Sequence, residues 1–268
     1  MGRQRLFSPF TIYYWLVAAV LFLPIILLII FSFNDSVTLV FPLKGFTWKW
    51  YQQLMKNFEL IRSVRTSLLL GVGSSLLATA LGAMGAIAMV RFNFPGKSLF
   101  ISVAAMPLVI PYVILGVSLL IMFHQVGVSL SAFTAGLAHV VVSVPYALLV
   151  IASRLVGFPQ NLEEAAMDLG CTYWGALLRV TLPISFPALV AAFLICFTIS
   201  FDEFAIASFL VGTQPTLPVY LYSQLRFPTR LPLVVSMASI LMTGSMILIL
   251  LSEWVRRLGQ TSSGRAKP

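Results

Sequence analysis

Charged side chains are scarce in this sequence. Asp, Glu, Lys and Arg together make up 9% of its 268 residues, against about 25% in an ordinary soluble domain. Apolar residues take their place, at 59% of the chain, and the mean hydropathy is +0.98. A soluble protein of this size has too little interior to bury so many apolar side chains. The composition therefore excludes a soluble enzyme and a disordered chain, and it predicts an integral membrane protein.

Cysteine and histidine are nearly absent as well, with two residues of each type. Cys171 and Cys196 are too few for a disulfide framework, and no Cys or His spacing typical of a metal site occurs. His124 and His139 are isolated, and a lone histidine in a membrane helix is typically a helix–helix hydrogen-bonding residue. Because no Ser/His/Asp set can be assembled either, we expect neither a catalytic nor a metal-binding residue.

Acidic residues are few compared with basic ones, at 8 against 17, so the formal net charge is +9. In a membrane protein such an excess reflects contact with anionic lipid and control of topology more readily than nucleic-acid binding. Gly96-Lys97-Ser98 resembles the end of a phosphate-binding loop, but Arg91 stands where the full motif needs glycine. We therefore expect membrane lipid and not nucleic acid as a partner, and no cofactor in this chain.

Long uncharged runs predict an all-α integral membrane protein with six transmembrane helices, because one span needs about 20 residues. The stretch Ser98–Ser153 is long enough for two spans, and we place the turn between them at His124–Ser129. Pro107 and Pro111 are expected to kink the third span. In chain order, the predicted spans are Ile12–Phe33, Thr66–Val90, the two halves of that stretch, Pro183 to about Leu210, and Leu233–Leu251.

The chain divides on this basis into three segments. Residues 1–65 hold the first span and its outer loop, residues 66–255 hold spans two to six, and residues 256–268 form a basic tail. Six spans place both termini on one side of the membrane. The basic chain ends favour the cytoplasmic side, while the basic residues of the first outer loop count against it.

The most polar internal segment, Arg154–Leu182, has a helix–glycine–helix pattern. Glu163 and Glu164 lie in the first turn of its short helix, where carboxylates suit the positive end of the helix dipole. Gly170 is placed to end that helix in a left-handed conformation. We interpret the segment as a docking element for a soluble partner, the alternative being an acidic helix face that is merely solvated.

This segment resembles the "EAA" loop of permease subunits of binding-protein-dependent ABC importers. The family pattern is Glu-Ala-Ala, three residues, Gly, nine residues, an aliphatic residue, one residue and Leu-Pro. This chain fills every fixed position with Glu164, Ala165, Ala166, Gly170, Val180, Leu182 and Pro183. The resemblance implies that the short helix, with Glu163 and Asp168 beside the motif, sits in a groove of an ATPase subunit and transmits its nucleotide-driven closure.

A second resemblance concerns the stretch that follows, and it is carried by Phe197–Phe204, Ala207-Ser208-Phe209, Gly212 and Leu217-Pro218. It is similar to the second permease of spermidine/putrescine-type importers, which commonly carries Asp-Asp where this chain has Asp202-Glu203. Relatives of that subfamily carry other small organic solutes. The resemblance therefore specifies the type of transporter better than its cargo.

A carboxylate inside a span costs about 2.5–3.5 kcal/mol on insertion scales and indicates a functional site. Because consecutive helical residues point about 100° apart, Asp202 and Glu203 cannot face the same environment. We expect one on a water-filled path and the other paired with Arg226, Arg230 or a backbone amide. The alternative is that both only brace an outer gate. The predicted solute-path residues are Asp202, Glu203, Phe209, Tyr220 and Tyr222.

Taken together, the resemblances imply a permease subunit of an ATP-driven importer in a bacterial inner membrane, carrying a polyamine or another small organic solute. The implied partners are a homologous second permease, a dimeric ABC ATPase that holds ATP and Mg²⁺, and a periplasmic or lipid-anchored solute-binding protein. Two rival hypotheses stay open. One is an intramembrane enzyme that uses Asp202, Glu203 or His139 for acid–base chemistry, and the other is a stand-alone secondary transporter.

The topology can be tested with single cysteines introduced at Ser262 and Gln160. If both termini and the Arg154–Leu182 segment are cytoplasmic, an impermeant thiol reagent should leave both positions unlabelled in intact cells and label them after permeabilisation. Strong labelling of either position from outside would overturn this orientation.

Overall fold

The computed structural model describes residues 9–157, 161–244 and 246–247, and this part of the chain is helical. No strand forms within these ranges, and the β-type pairing there is an isolated bridge between Asn34 and Phe46. The predicted all-α class is therefore confirmed.

The helices of the described ranges are numbered in chain order. Short 3₁₀ turns follow α4 and precede α12, and a π-helical segment, Leu177–Thr181, joins α8 to α9. The helices are α1 (Pro9–Ser32), α2 (Lys49–Lys56), α3 (Phe58–Arg91), α4 (Lys97–Ala105), α5 (Tyr112–Gln125), α6 (Ala132–Val156), α7 (Asn161–Asp168), α8 (Tyr173–Ala176), α9 (Leu182–Asp202), α10 (Ala205–Leu210), α11 (Leu217–Gln224) and α12 (231–244).

Residues Glu59–Tyr220 form one compact unit that is built around α6. On one side, α3 and α9 pack against α6 through small side chains, since Ala78 and Ala86 of α3 meet Ala147 of α6 and Ala192 of α9 in one buried cluster. Gly82 allows the closest approach, because a Cβ there would lie 2.5 Å from that of Ala147. On the other side, α5 and α10 pack against α6 through larger apolar residues. The small-residue contacts among α3, α6 and α9 are typical of helix packing in membranes.

A second compact unit comprises residues 9–58 and the described residues from Leu221 onwards. Most large apolar side chains of α1 are exposed, as expected of a helix that faces lipid. Its last residue, Ser32, accepts a hydrogen bond at its carbonyl from Ser236 of α12, at 3.2 Å. The Ser32 hydroxyl also lies 2.6 Å from the Tyr51 hydroxyl of α2. These bonds connect α1, α2 and α12.

Four described helices are long and apolar enough to cross a membrane, and they correspond to predicted spans one, two, four and five. They are Tyr13–Ser32, Phe58–Arg91, Ala132–Val156 and Tyr173–Asp202. The predicted sixth span begins in α12, but its last residues, 248–251, lie outside the described residues. The count of six spans stays a prediction.

The third span was predicted to be one kinked helix, and this prediction was wrong. Lys97–Leu108 and Tyr112–Gln125 are separate helical pieces, bent by 103° at the break between them. Pro111 adopts an extended conformation, with ψ 131°, directly before α5. Because proline lacks an N–H group and disfavours the helical conformation in the residue before it, two prolines this close separate the pieces instead of bending one helix.

The bounds of the fifth span also differ from the prediction. The helix begins at Tyr173 and continues through the π segment and Pro183 without interruption. It ends at Asp202 instead of near Leu210, because Glu203 is extended, with φ −71° and ψ 121°. A separate helix, α10, then begins at Ala205. The acidic pair therefore lies at a break between helices, not inside one.

Candidate functional site

The short helix predicted in the polar segment is present as α7, and its end has the predicted geometry. Gly170 is left-handed, with φ +88°. The Cys171 N–H donates to the Ala166 carbonyl at 3.0 Å, and the Gly170 N–H donates to the Met167 carbonyl at 2.9 Å. This pair of bonds is a Schellman motif, in which the left-handed residue lets the chain turn back and satisfies the last carbonyls. The predicted left-handed conformation of Gly170 is confirmed.

Glu163 lies on the inner face of α7, where its carboxylate is buried. Its Oε1 accepts hydrogen bonds from Arg91 Nη2 at 3.0 Å and Arg91 Nε at 3.2 Å. The Thr181 hydroxyl donates to the same oxygen at 2.6 Å. Glu163 therefore ties α7 to the end of α3 and to the π segment, and it corrects our expectation that this residue belongs to a docking surface. A buried carboxylate needs such partners inside the protein.

The outer face of the same segment carries the remaining predicted residues. Glu164, Ala165, Asp168 and Pro183 are exposed, while Ala166 and Leu182 are half-buried. Two large apolar side chains stand exposed beside them and were missed in the sequence, namely Leu169, at 88% exposure, and Trp174, at 69%. The sequence signal that could have identified them is the presence of apolar residues near the helix-ending glycine of a polar segment. Acidic and apolar groups together make this face suitable for contact with another protein.

The acidic pair at the end of α9 is divided as predicted between two environments. Glu203 is buried, and its Oε1 and Oε2 accept hydrogen bonds from the backbone N–H groups of Ile206 and Ala207, each at 2.9 Å. Of the three predicted kinds of partner, the backbone amide is the one found. Asp202, one residue earlier, is exposed. The two carboxylates therefore lie in different environments, since Glu203 caps α10 inside the protein and Asp202 lies at the protein surface.

The two histidines also differ in burial. His139 of α6 is buried, and its Nδ1 lies 2.7 Å from the Ser200 hydroxyl of α9. The interpretation as a helix–helix hydrogen bond is confirmed for this residue. His124 instead lies exposed in the last turn of α5, and for this residue the interpretation stays a prediction.

The aromatic residues predicted along the solute path differ in burial. Phe209 lies against the core cluster of α5, α6 and α10, with its ring on the backbone of Gly116. Tyr220 is buried, at 4% exposure, so its ring is not offered to a solute. Tyr222 is exposed but belongs to the other compact unit. Phe209 and Tyr220 therefore pack inside the protein, because spacing along the chain does not fix which side of a short helix meets the core, and the role of Tyr222 stays a prediction.

A cavity of about 400 Å³ opens between α3 and α6 and was not expected from the sequence. Its lining is mainly apolar, with Leu70, Leu77 and Val140 among the contributing side chains, and Ser74 and Gln214 add polar groups. Neither Asp202 nor Glu203 lines it.

Comparison with known proteins agrees with this geometry. A family described as binding-protein-dependent transport system inner membrane component matches residues 78–258. The spermidine/putrescine transport system permease protein PotC of Escherichia coli is 33% identical over 240 residues, covering 89% of this chain and 90% of PotC. PotC of Haemophilus influenzae is 36% identical over 245 residues, covering 91% of this chain and 94% of that protein.

Two further comparisons concern a second curated relative and the fold. The putrescine transport system permease protein PotI of Escherichia coli is 37% identical over 214 residues, covering 77% of this chain and 76% of PotI. A crystal structure of a bacterial ABC transporter involved in the import of the acidic polysaccharide alginate has a chain that matches with a TM-score of 0.69. That match covers 92% of this chain and 93% of the other at 15% identity, so it shows the fold alone.

The buried position of Glu163 predicts a large difference between two neighbouring glutamates. Glu163→Gln removes the negative charge that Arg91 faces in a buried site, and breaking such a pair costs about 3–5 kcal/mol. Glu164→Gln makes the same chemical change on the exposed face and should stay within about 0.5 kcal/mol. Thermal unfolding of the purified protein measures both. Equal melting temperatures for the two variants would contradict the assigned role of Glu163.

Proposed function

The chain belongs to the family of binding-protein-dependent transport system inner membrane components, and from this we propose that it is a permease subunit of an ATP-driven polyamine importer. Similarity to PotC over about nine-tenths of both chains is the observation that carries the proposal. The protein is a multi-pass protein of the inner membrane, and it is a transport component and not an enzyme. The cargo we assign is putrescine, spermidine or a similar small organic cation.

In the proposed complex, this chain pairs with a homologous second permease. A dimeric ABC ATPase binds ATP and Mg²⁺ on the cytoplasmic side, and a periplasmic or lipid-anchored protein delivers the solute. Six spans place both termini and α7 in the cytoplasm. When ATP closes the ATPase dimer, the permease pair changes from facing the cytoplasm to facing outward, and the solute released there then crosses.

The exposed face of α7 is the surface we assign to the ATPase. Glu164 and Asp168 supply charge, and Leu169 and Trp174 supply apolar area beside them. Behind this face, Glu163 holds Arg91 of α3 and Thr181 of the π segment. A displacement of α7 is therefore passed to two membrane helices through hydrogen bonds to one carboxylate. This arrangement supports a coupling role for the segment.

Asp202 is the group we assign to the cargo. A dication that crosses a low-dielectric path needs negative charge or dipoles in place of its water. Asp202 supplies an exposed carboxylate, and it is the last residue of α9, where the carbonyl groups of the helix end add partial negative charge. Glu203 is excluded from this role because both of its oxygens accept backbone hydrogen bonds in a buried site.

Neither rival hypothesis gains support from the site. Of the three groups offered for intramembrane acid–base chemistry, His139 and Glu203 are buried and engaged with Ser200 and with the start of α10, and Asp202 is exposed. The relatives are permease proteins of transport systems. A subunit of this kind works with an ATPase, which separates it from a stand-alone secondary transporter.

Gly170→Val tests the coupling role of α7. A residue with a side chain pays about 1–2 kcal/mol in the left-handed region, and a β-branched one pays more, so the turn after α7 should be lost. We expect transport to be lost while the permease remains in the membrane. Gly170→Asn is the matched control, because asparagine tolerates this conformation, and it should keep most of the activity.

The charge reversal Glu164→Lys should uncouple the complex in the same way, since it places a cation on the exposed face. The measurement is substrate-stimulated ATP hydrolysis by the assembled complex. If Gly170→Val and Glu164→Lys both hydrolyse ATP at the wild-type rate, this segment does not couple.

Asp202→Asn and Glu203→Gln should reduce transport in different ways. Asp202→Asn removes an exposed charge, so the amount of complex should be normal while uptake of labelled putrescine or spermidine falls at least tenfold. Glu203→Gln weakens the cap of α10, so the amount of folded complex should fall while uptake per complex is largely kept.

Wild-type uptake per complex in both variants would show that neither carboxylate handles the cargo. A wild type that carries only neutral or anionic solutes would refute the polyamine assignment and leave the permease assignment standing.

A further inference from the structure

A row of buried polar side chains crosses the unit that carries the acidic pair. The Ser74 hydroxyl of α3 lies 2.9 Å from the Ser200 hydroxyl of α9, which in turn lies 2.7 Å from Nδ1 of His139 on α6. All three residues are buried, with exposures of 4% or less. Polar groups in such a site remain only where they satisfy one another, so this row fixes the positions of three helices relative to one another.

The second nitrogen of the same imidazole faces the helix break. Nε2 of His139 lies 3.5 Å from Oε2 of Glu203, and the two side chains are 0% and 3% exposed. Ser200 and Glu203 are three residues apart, so they lie on the same side of the last turn of α9. His139 therefore contacts this turn at both of its ends, through a different nitrogen at each.

The break between α9 and α10 contains neither proline nor glycine, since residues 202–204 are Asp, Glu and Phe. The chain leaves the helix at Glu203, whose side chain then caps Ile206 and Ala207. This cap needs the carboxylate to stay in its buried position, and His139 of α6 reaches it there from another helix.

We propose that His139 is a positioning residue for transport, because it holds Glu203 in the cap of α10 and so keeps α9 broken directly after Asp202. Without it, α9 continues through Glu203, the carboxylate leaves its buried site, and Asp202 no longer ends a helix. This inference rests on the proposed function in assigning Asp202 to the cargo. The helix break after Asp202 and the position of His139 beside Glu203 do not depend on that assignment.

The two nitrogens of His139 can be tested separately in the assembled importer complex. The amide nitrogen of asparagine reaches about as far as Nδ1, and that of glutamine about as far as Nε2. His139→Asn should therefore keep the contact with Ser200 and lose the one with Glu203, whereas His139→Gln should keep the contact with Glu203. We expect the maximal uptake rate per complex to fall at least tenfold in His139→Asn and less than threefold in His139→Gln. His124→Asn, the same change at the exposed histidine, is the control and should transport like wild type.

A second readout follows the helix break without any cargo. Ser208 is exposed on α10, and Ser208→Cys in a background of Cys171→Ser and Cys196→Ala gives one reactive thiol. Continuation of α9 through Glu203 rotates this position, so its rate of labelling should change at least threefold in His139→Asn and should stay near wild type in His139→Gln. Because labelling needs no polyamine, it tests the held break even if the wild type proves to carry another solute.

The double variant His139→Asn with Glu203→Gln covers the case in which His139→Asn does not assemble. A neutral amide at position 203 no longer leaves a buried charge without its imidazole, so the double variant should assemble better than His139→Asn alone. Wild-type labelling and uptake in His139→Asn would overturn the inference, while loss of uptake in Asp202→Asn would still leave the proposed function intact. Equal losses in His139→Asn and His139→Gln, or strictly additive effects in the double variant, would also overturn it.

Discussion

A buried carboxylate is stable only when the protein itself supplies the hydrogen bonds that water would give, and this constraint shapes both candidate regions. Glu203 meets it with two backbone N–H groups, and the His139 imidazole lies 3.5 Å away. Glu163 meets it with the guanidinium of Arg91 and the hydroxyl of Thr181. In each case one side chain fixes the relative positions of elements that are distant in the sequence.

The same logic applies to the two adjacent acidic pairs. In Glu163-Glu164 and in Asp202-Glu203, one member is buried with partners and the other is exposed. Neighbouring residues of α7 point about 100° apart, and at the end of α9 the chain leaves the helix at Glu203, so each pair combines a fixed inner group with an accessible outer one. The inner carboxylate orients the segment and leaves its neighbour free to meet a partner protein or a solute. Substitutions that look equivalent in the sequence therefore have different physical consequences.

Local signals in the sequence predicted the short helix α7 and its glycine turn well and the helix breaks poorly. The spacing from Glu164 through Gly170 to Pro183 depends on backbone geometry within one short stretch, and the left-handed Gly170 agrees with it. The end of α9 at Asp202 depends on His139, which lies more than sixty residues earlier, and the sequence alone favours a continuous helix there. The burial of Tyr220 and the packing of Phe209 on Gly116 are likewise set by tertiary contacts.

The helix Tyr173–Asp202 connects these two regions. It is 30 residues long, which corresponds to about 45 Å at 1.5 Å per residue. Near its start, Thr181 in the π segment donates to Glu163, and at its far end Ser200 and Asp202 flank the turn held by His139. Helix kinks often occur at π segments, and such segments are frequent at functional sites. A push on α7 therefore reaches the acidic break through one continuous element whose π segment is hydrogen-bonded to Glu163. The remainder of α9 is packed along α6. In a transporter of the proposed kind, the distance between ATP hydrolysis and cargo is covered by this single helix, with a buried carboxylate bound near each end.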